Sequence, residues 1–285
     1  MNYFSSSKIA CIHSVEHYRQ SIYSDLDPNK TVDFFVRKYV KPISKRVNIT
    51  KTVMADGGAG YGWLSLAFLF SGGKQAILIE PDEKRLAAAK KITKIAGVSE
   101  RCDFLCRKIQ ENGLGTDEVD LFAAVEVLEH IGKNNVKHAI RGIARAARSC
   151  VIITTPNRIF PIVAHDTRLP FAHWMPQNLR TTYARLFNRE SLDDGNYFLS
   201  PCDLLSLSKK FQPDTKIGTF SSVEEFRAFY PHYLPYGRNP SKRIRKKPNP
   251  FLEFYLHMAS VILQYRAYWI APNMASIWIR RTCEH

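Results

Sequence analysis

Two acidic residues and three glycines stand out as groups able to do chemistry together. Asp56, Gly58, Gly60 and Gly62 read acid-x-Gly-x-Gly-x-Gly in the segment DGGAGYG, and Glu80 follows 24 positions after Asp56, at the end of AILIE. Glycines so spaced let a chain turn sharply from strand into helix and bring its backbone against a ligand. An acid closing the next strand is placed to accept hydrogen bonds from a ribose. The pattern points to a bound nucleoside.

A nicotinamide dehydrogenase is the first competitor, but its G-x-G-x-x-G fingerprint needs a third glycine for close helix packing. Counted from Gly58 and Gly60, that position is Trp63, whose indole is too large for it. An acid ahead of the glycines better suits a nucleoside with a cationic end. S-adenosyl-L-methionine carries both an ammonium and a sulfonium, so methyl transfer is the leading reading.

A hydroxyl acceptor must lose its proton, and an imidazole titrating near neutrality is the suitable base. His165 and His173 are the candidates. His165 adjoins Asp166 in a polar turn, whereas His173 lies between aromatic neighbours and equally reads as packed core. Phe171, Trp174 and Tyr183 can wall an apolar acceptor site, and Arg158, Arg168 and Arg180 can meet an anionic substrate. Glu126, Glu129 and His130 form a further cluster, in which Glu126 reads as a cofactor contact or a helix cap, and the three together as ligands for a divalent metal. His13, Glu16 and His17 fit the H-x-x-E-H pattern of some zinc proteases, a short match outside the expected domain core.

These groups need a sheet to present them. Strands are expected at residues 52–55, 76–79, 99–105, 119–125 and 150–155, with helices at 63–70, 83–95 and 136–147 between them. The alternation implies a parallel sheet with helices on both faces. Residues 200–211 read as a capped helix, and 215–220 and 275–280 as the last strands. Residues 1–51 read as a basic helical lid or packing segment, with Val32, Phe35, Val36, Val40 and Ile43 on one face. A catalytic domain over residues 52–285 then carries insertions at about 158–196, for substrate, and 221–273, basic and aromatic.

Residues 52–157 resemble class I S-adenosylmethionine-dependent methyltransferases, most closely those O-methylating ubiquinone precursors. DGGAGYG, LIEPD and VEVLEHI at 125–131 carry the resemblance, and TTPNRIFPIVAHDTRLPFAHWMP is similar to loops of bacterial enzymes of glycan and glycolipid pathways. It implies a doubly wound, seven-stranded, mostly parallel Rossmann-like sheet with helical insertions. It also implies Gly58, Gly60 and Gly62 along the methionine and ribose, Asp56 anchoring the loop and the ammonium, Glu80 on the ribose hydroxyls and Pro81 on the adenine face. Glu126, Glu129 and His130 match the family's strand-four positions beneath the methionine. The family's aspartate after strand three is missing from FLCRKIQEN, leaving backbone near Ile109, or Asp103, to read adenine.

A net charge of +15 suits an anionic partner such as phosphate, nucleic acid or an acidic membrane surface. Neither an RNA-binding module nor an NPPY-type motif is present, so nucleic acid is disfavoured against a small-molecule, glycan or lipid-linked acceptor. A cofactor-binding scaffold without catalysis is the alternative of a different class. The run SKRIRKKPNP before an aromatic stretch at 251–272 resembles an interfacial membrane element, or else a helix packed on the domain. Six cysteines without a C-x-x-C pair, and an N-terminus without a secretory signal, lead to an expected cytoplasmic location, peripheral to the membrane at most.

Overall fold

The computed structural model describes residues 2–21, 23–163, 167–189, 195–232 and 247–281. Seven strands form one sheet: β1 (Val53–Gly57), β2 (Gln75–Ile79), β3 (Cys102–Leu105), β4 (Val119–Val125), β5 (Ala147–Thr154), β6 (Phe211–Pro213) and β7 (Ser276–Arg280). Their order is β3-β2-β1-β4-β5-β7-β6, and only β7 runs antiparallel to its neighbours. The doubly wound class expected from the sequence is the one observed. Strands such as VDLFAAV are apolar on both faces because helices cover both sides of a parallel sheet.

Among the described residues ten helices flank it: α1 (Ser6–Ser14), α2 (Glu16–Arg19), α3 (Pro28–Phe35), α4 (Lys41–Ser44), α5 (Trp63–Phe70), α6 (Glu83–Ala96), α7 (Lys133–Ala146), α8 (Gln177–Leu186), α9 (Val223–Phe229) and α10 (Pro250–Leu263). A π turn at Val36–Val40 joins α3 to α4. Val32, Phe35, Val36, Val40 and Ile43 are all buried in the core shared with α5 and α6. On the other face, α7 and the segment before β7 bury Ile140, Ile143, Tyr268 and Trp278.

Register positions the chemistry. Gly57 pairs with Ile79 and with Ala124, and Val125 pairs with Thr154. Gly58, Glu80, Glu126 and Thr155 therefore all emerge just past the carboxyl ends of adjacent parallel strands, where ligands bind in open α/β sheets.

Two elements differ from expectation. Residues 200–211 form 3-10 turns at Pro201–Leu204 and Leu207–Lys209, not one α-helix, and the Asp203 carboxylate accepts both the Ser200 N–H and its hydroxyl at the first turn. The sixth strand is then Phe211–Pro213, and 215–220 is not a strand. Gly218, at φ +59°, folds that segment back so that Ile217 and Phe220 exchange hydrogen bonds with each other. Thr215 instead accepts the Ile277 N–H through its hydroxyl, at 3.1 Å.

Candidate active site

The turn from β1 into α5 is made by Gly58, Gly60 and Gly62, all at positive φ. Gly58 and Ala59 both donate their N–H to the Ile79 carbonyl, at 2.8 and 3.1 Å, which pins the turn against the end of β2. A Cβ on Gly58 would stand 2.3 Å from Val127 Cγ2, so both its φ of +72° and the space demand glycine. Gly62 is the N-cap of α5.

Glu80 is buried beside this turn. Its Oε2 accepts the Gly60 N–H at 2.9 Å and its Oε1 the Asp82 N–H at 3.2 Å, while the Arg85 guanidinium lies 3.8 Å away. Asp82 in turn caps α6 by accepting the Arg85 N–H. The carboxylate is thus held in one orientation at the mouth of the crevice.

Asp56 sits lower, inside β1, and accepts the Ser65 hydroxyl at 2.7 Å. It anchors the first turn of α5 to the sheet. Burial raises its pKa to about 6 against the opposing Ser65 hydrogen bonds, with the nearby Glu80 charge adding to the rise.

Beyond the turn opens a cavity of about 260 Å³, lined by Gly58, Pro81, Ile109, Gln110, Val127 and His130 among others. Pro81 and Ile109 come from separate loops and give it apolar walls suited to a flat ring. Gln110, which sequence reasoning passed over, lines it too, and its Oε1 is buried without a hydrogen-bond partner among the described residues. The signal for it was weak: a glutamine two residues beyond Lys108 has no distinguishing pattern. Asp103 lies near the start of β3, where it accepts the Gln75 amide at 2.6 Å and pairs with Ile77, two residues before the end of the strand. It does not meet this cavity's lining.

At the end of β4, Glu126 adopts φ +52° and donates its N–H to the Thr154 carbonyl at 2.8 Å. It does not cap α7, which begins at Lys133 after Gly132. Glu129 is fully buried and accepts the Thr155 hydroxyl at 3.1 Å. Burial, together with the neighbouring Glu126 to which it is hydrogen-bonded, pushes the Glu129 carboxyl well above the usual range. His130 is exposed, its Nδ1 2.7 Å from Asn196 Oδ1. No group of three or more His, Cys, Asp or Glu side chains among the described residues could hold a metal ion. His17, of the H-x-x-E-H match, pairs through Nδ1 with the Tyr61 hydroxyl at 3.2 Å, docking α2 on the glycine turn.

His165 lies outside the described residues. His173 stands in a 3-10 turn, and its Nε2–H donates to the Arg158 carbonyl at 2.9 Å, as does Trp174 Nε1–H at 2.6 Å. Both side chains fasten this loop to the segment leaving β5. Arg158 itself stacks on Tyr197 and donates to its hydroxyl at 3.1 Å.

Residues 54–149 match the family model of the methyltransferase domain. The chain carries a methyltransferase domain. The match covers about a third of the chain and runs from β1 into β5, so it includes the glycine turn, Glu80, the cavity and Glu126. The remaining strands complete the seven-stranded sheet. No curated protein sequence matches the chain.

Solved structures similar to this chain include magnesium protoporphyrin IX methyltransferase from Synechocystis PCC 6803 with bound SAH. That likeness has 17% identity and a TM-score of 0.49, covering 75% of this chain and 88% of that one. A putative S-adenosylmethionine-dependent methyltransferase from Listeria monocytogenes gives 15% and 0.49, covering 86% and 99%. Geranyl diphosphate C-methyltransferase from Streptomyces coelicolor A3(2) gives 9% and 0.45, covering 81% and 72%.

Proposed function

We propose that this methyltransferase moves the methyl group of S-adenosyl-L-methionine onto a hydroxyl oxygen of a small-molecule, sugar or lipid-linked acceptor. One observation carries the cofactor reading: the Glu80 carboxylate is fixed by the Gly60 N–H beside a cavity walled by Pro81 and Ile109. A ribose on Glu80 would set the attached adenine between those two walls.

The residues fit the cofactor on independent grounds. The backbone at Gly58 has space for no side chain, and Gln110, which lines the cavity, keeps a buried acceptor without a partner among the described residues. Gln110 Oε1 is proposed to accept the adenine amine, the role left open by the missing aspartate. Asp56 and Glu126 lie on the methionine side.

When bound, the cofactor supplies an electrophilic methyl on a sulfonium. The chain's own part is to hold the acceptor oxygen in line and to exclude water, the main sources of acceleration in such a displacement. The acceptor proton is proposed to leave to His165 or His173, in the loop that follows β5. Choice of oxygen rests on the VEVLEHI likeness to ubiquinone-biosynthesis O-methyltransferases. The reaction is assigned to the cytoplasm, which suits the unpaired thiols of Cys11, Cys102, Cys106, Cys150 and Cys202.

The test is to incubate the purified protein with isotopically labelled S-adenosylmethionine and a cell extract, then to identify labelled products by mass spectrometry. A product with the label on oxygen supports the reading. Label on carbon or nitrogen overturns the O-methylation, and failure of S-adenosylhomocysteine to bind in calorimetry overturns the cofactor.

A further inference from the structure

The segment after β5 and the segment before β7 meet at one place. Asn157 Nδ2 donates to the Trp269 and Ala271 carbonyls at 2.8 and 2.9 Å, tying the two together at the carboxyl end of β5. Further out, the Phe160 ring lies 6.1 Å from that of Tyr255 on α10, and the Phe171 N–H donates to the Pro161 carbonyl at 2.6 Å. The turns bearing Ile159, Phe171 and Trp174 therefore adjoin α10.

What this junction shows to solvent is apolar. Phe251 is 85% exposed, Phe254 67% and Ile262 68%, and with Met258 and Val261 they recur along α10 at spacings of three, four and seven, with the exposed Tyr265 just past its end. That spacing makes one continuous stripe along a helix. Ala259 and Ser260, on the other side, are the residues α10 buries. Ile159, Phe171 and Trp174, each about half exposed, extend the stripe past the helix. The one charged side chain within α10, Glu253, is matched by the Arg227 guanidinium. Contiguous exposed apolar surface of this kind marks an interaction face.

Charge selects the occupant. Lys242, Arg243, Arg245, Lys246 and Lys247 immediately precede α10 in sequence. Lys216 Nζ lies 5.3 Å over the Tyr265 ring, and the exposed Arg266 follows it. Basic residues beside an aromatic-rich stripe complement a bilayer whose surface is anionic and whose acyl boundary is apolar. The fourteen residues of α10, at ~1.5 Å each, span about 21 Å, short of a hydrocarbon core of ~30 Å. No helix among the described residues is long and apolar enough to cross a membrane. Such a helix lies in the plane of the interface.

We infer that the face formed by α10 and the turns at Ile159 and at Phe171 to Trp174 docks on the surface of an anionic lipid bilayer. The inference goes beyond the methyl-transfer reading and does not depend on it. If both hold, the loops after β5 meet the acceptor at the lipid boundary.

Flotation of the full chain with liposomes tests it. The protein should float with vesicles of phosphatidylcholine plus phosphatidylglycerol and far less with phosphatidylcholine alone, and binding should fall as salt rises from ~50 to ~500 mM, where charges are screened within ~5 Å. Phe254→Asp with Ile262→Asp, both on the exposed stripe, should lower the bound fraction at least ~10-fold with circular dichroism and cofactor binding unchanged. Wild-type protein that stays out of the anionic vesicle layer overturns the inference, as does a double variant that floats as well as wild type. A dimer in sedimentation that the double variant splits, without vesicle binding, assigns the face to a second copy and overturns it too. Cofactor affinity, read separately by calorimetry, keeps failure here distinct from failure of the methyl-transfer reading.

Discussion

The carboxylate of Glu80 accepts the backbone N–H of Gly60 at 2.9 Å, so the acid ending β2 and the turn leaving β1 hold each other in place. The bond converts two loosely patterned sequence features into one rigid corner. Glu80→Ala should therefore weaken S-adenosylhomocysteine binding at least ~10-fold, the loss expected when a charge-assisted contact of about 1.5–3 kcal/mol is removed. Glu80→Gln, which keeps an acceptor for Gly60, should lose less. Titration calorimetry checks both, and equal affinity in all three proteins would remove Glu80 from the ligand site.

Gln110→Leu should separate stability from binding. Removing a buried acceptor that has no partner among the described residues relieves a cost of about 1–3 kcal/mol, so the variant should be as stable as wild type or more so in urea titration. Its affinity for S-adenosylhomocysteine should fall, and its preference for the adenine cofactor over the inosine analogue should narrow. A preference unchanged from wild type would show that Gln110 does not read the base.

Gly58→Ala should cost about 1–2 kcal/mol from its left-handed backbone alone, and more from the approach of the new methyl to Val127. Adding Val127→Ala should recover the steric part and leave the backbone part. Chemical denaturation of the two single variants and the double variant gives the coupling directly. Strictly additive effects would mean that the two side chains do not compete for the same space.

Asp56 imposes a pH dependence whose sign follows from its raised pKa. Its folded value of about 6 lies above the ordinary 3.8, so the folded state binds the proton more tightly than the unfolded state does. The contribution is fully present below about pH 4 and is lost as pH rises through 6. A shift of about two units amounts to roughly 3 kcal/mol. Against Asp56→Asn, which keeps an acceptor for Ser65, wild type should therefore lose about that much relative stability between pH 4 and 7. Parallel stability profiles for the two proteins over that range would place the Asp56 pKa at its ordinary value.

Much of the fold around the glycine turn was legible in the sequence. The run DGGAGYG could only be a tight strand-to-helix turn, since three alternate glycines are costly elsewhere, and VDLFAAV at 119–125 fits a strand buried on both faces. Local composition was enough there because each pattern is enforced by neighbours close in sequence. It failed at 200–220, where Gly218 turns the chain back on itself, and where β6 is selected by pairing with β7, more than sixty residues away.

The sequence by itself determined the order of strands and helices from β1 through β5, the glycine turn and the acid that ends β2, because spacing and side-chain type settle local backbone choices. Only the tertiary structure decided which distant residues meet: Gly60 with Glu80, Glu129 with Thr155, His173 with the Arg158 carbonyl, Gln110 with the cavity. It also decided that the aromatic residues of α10 face solvent, not the core. Those outcomes depend on strand register and on which surfaces find a partner, and both are properties of the packed chain rather than of any stretch of it.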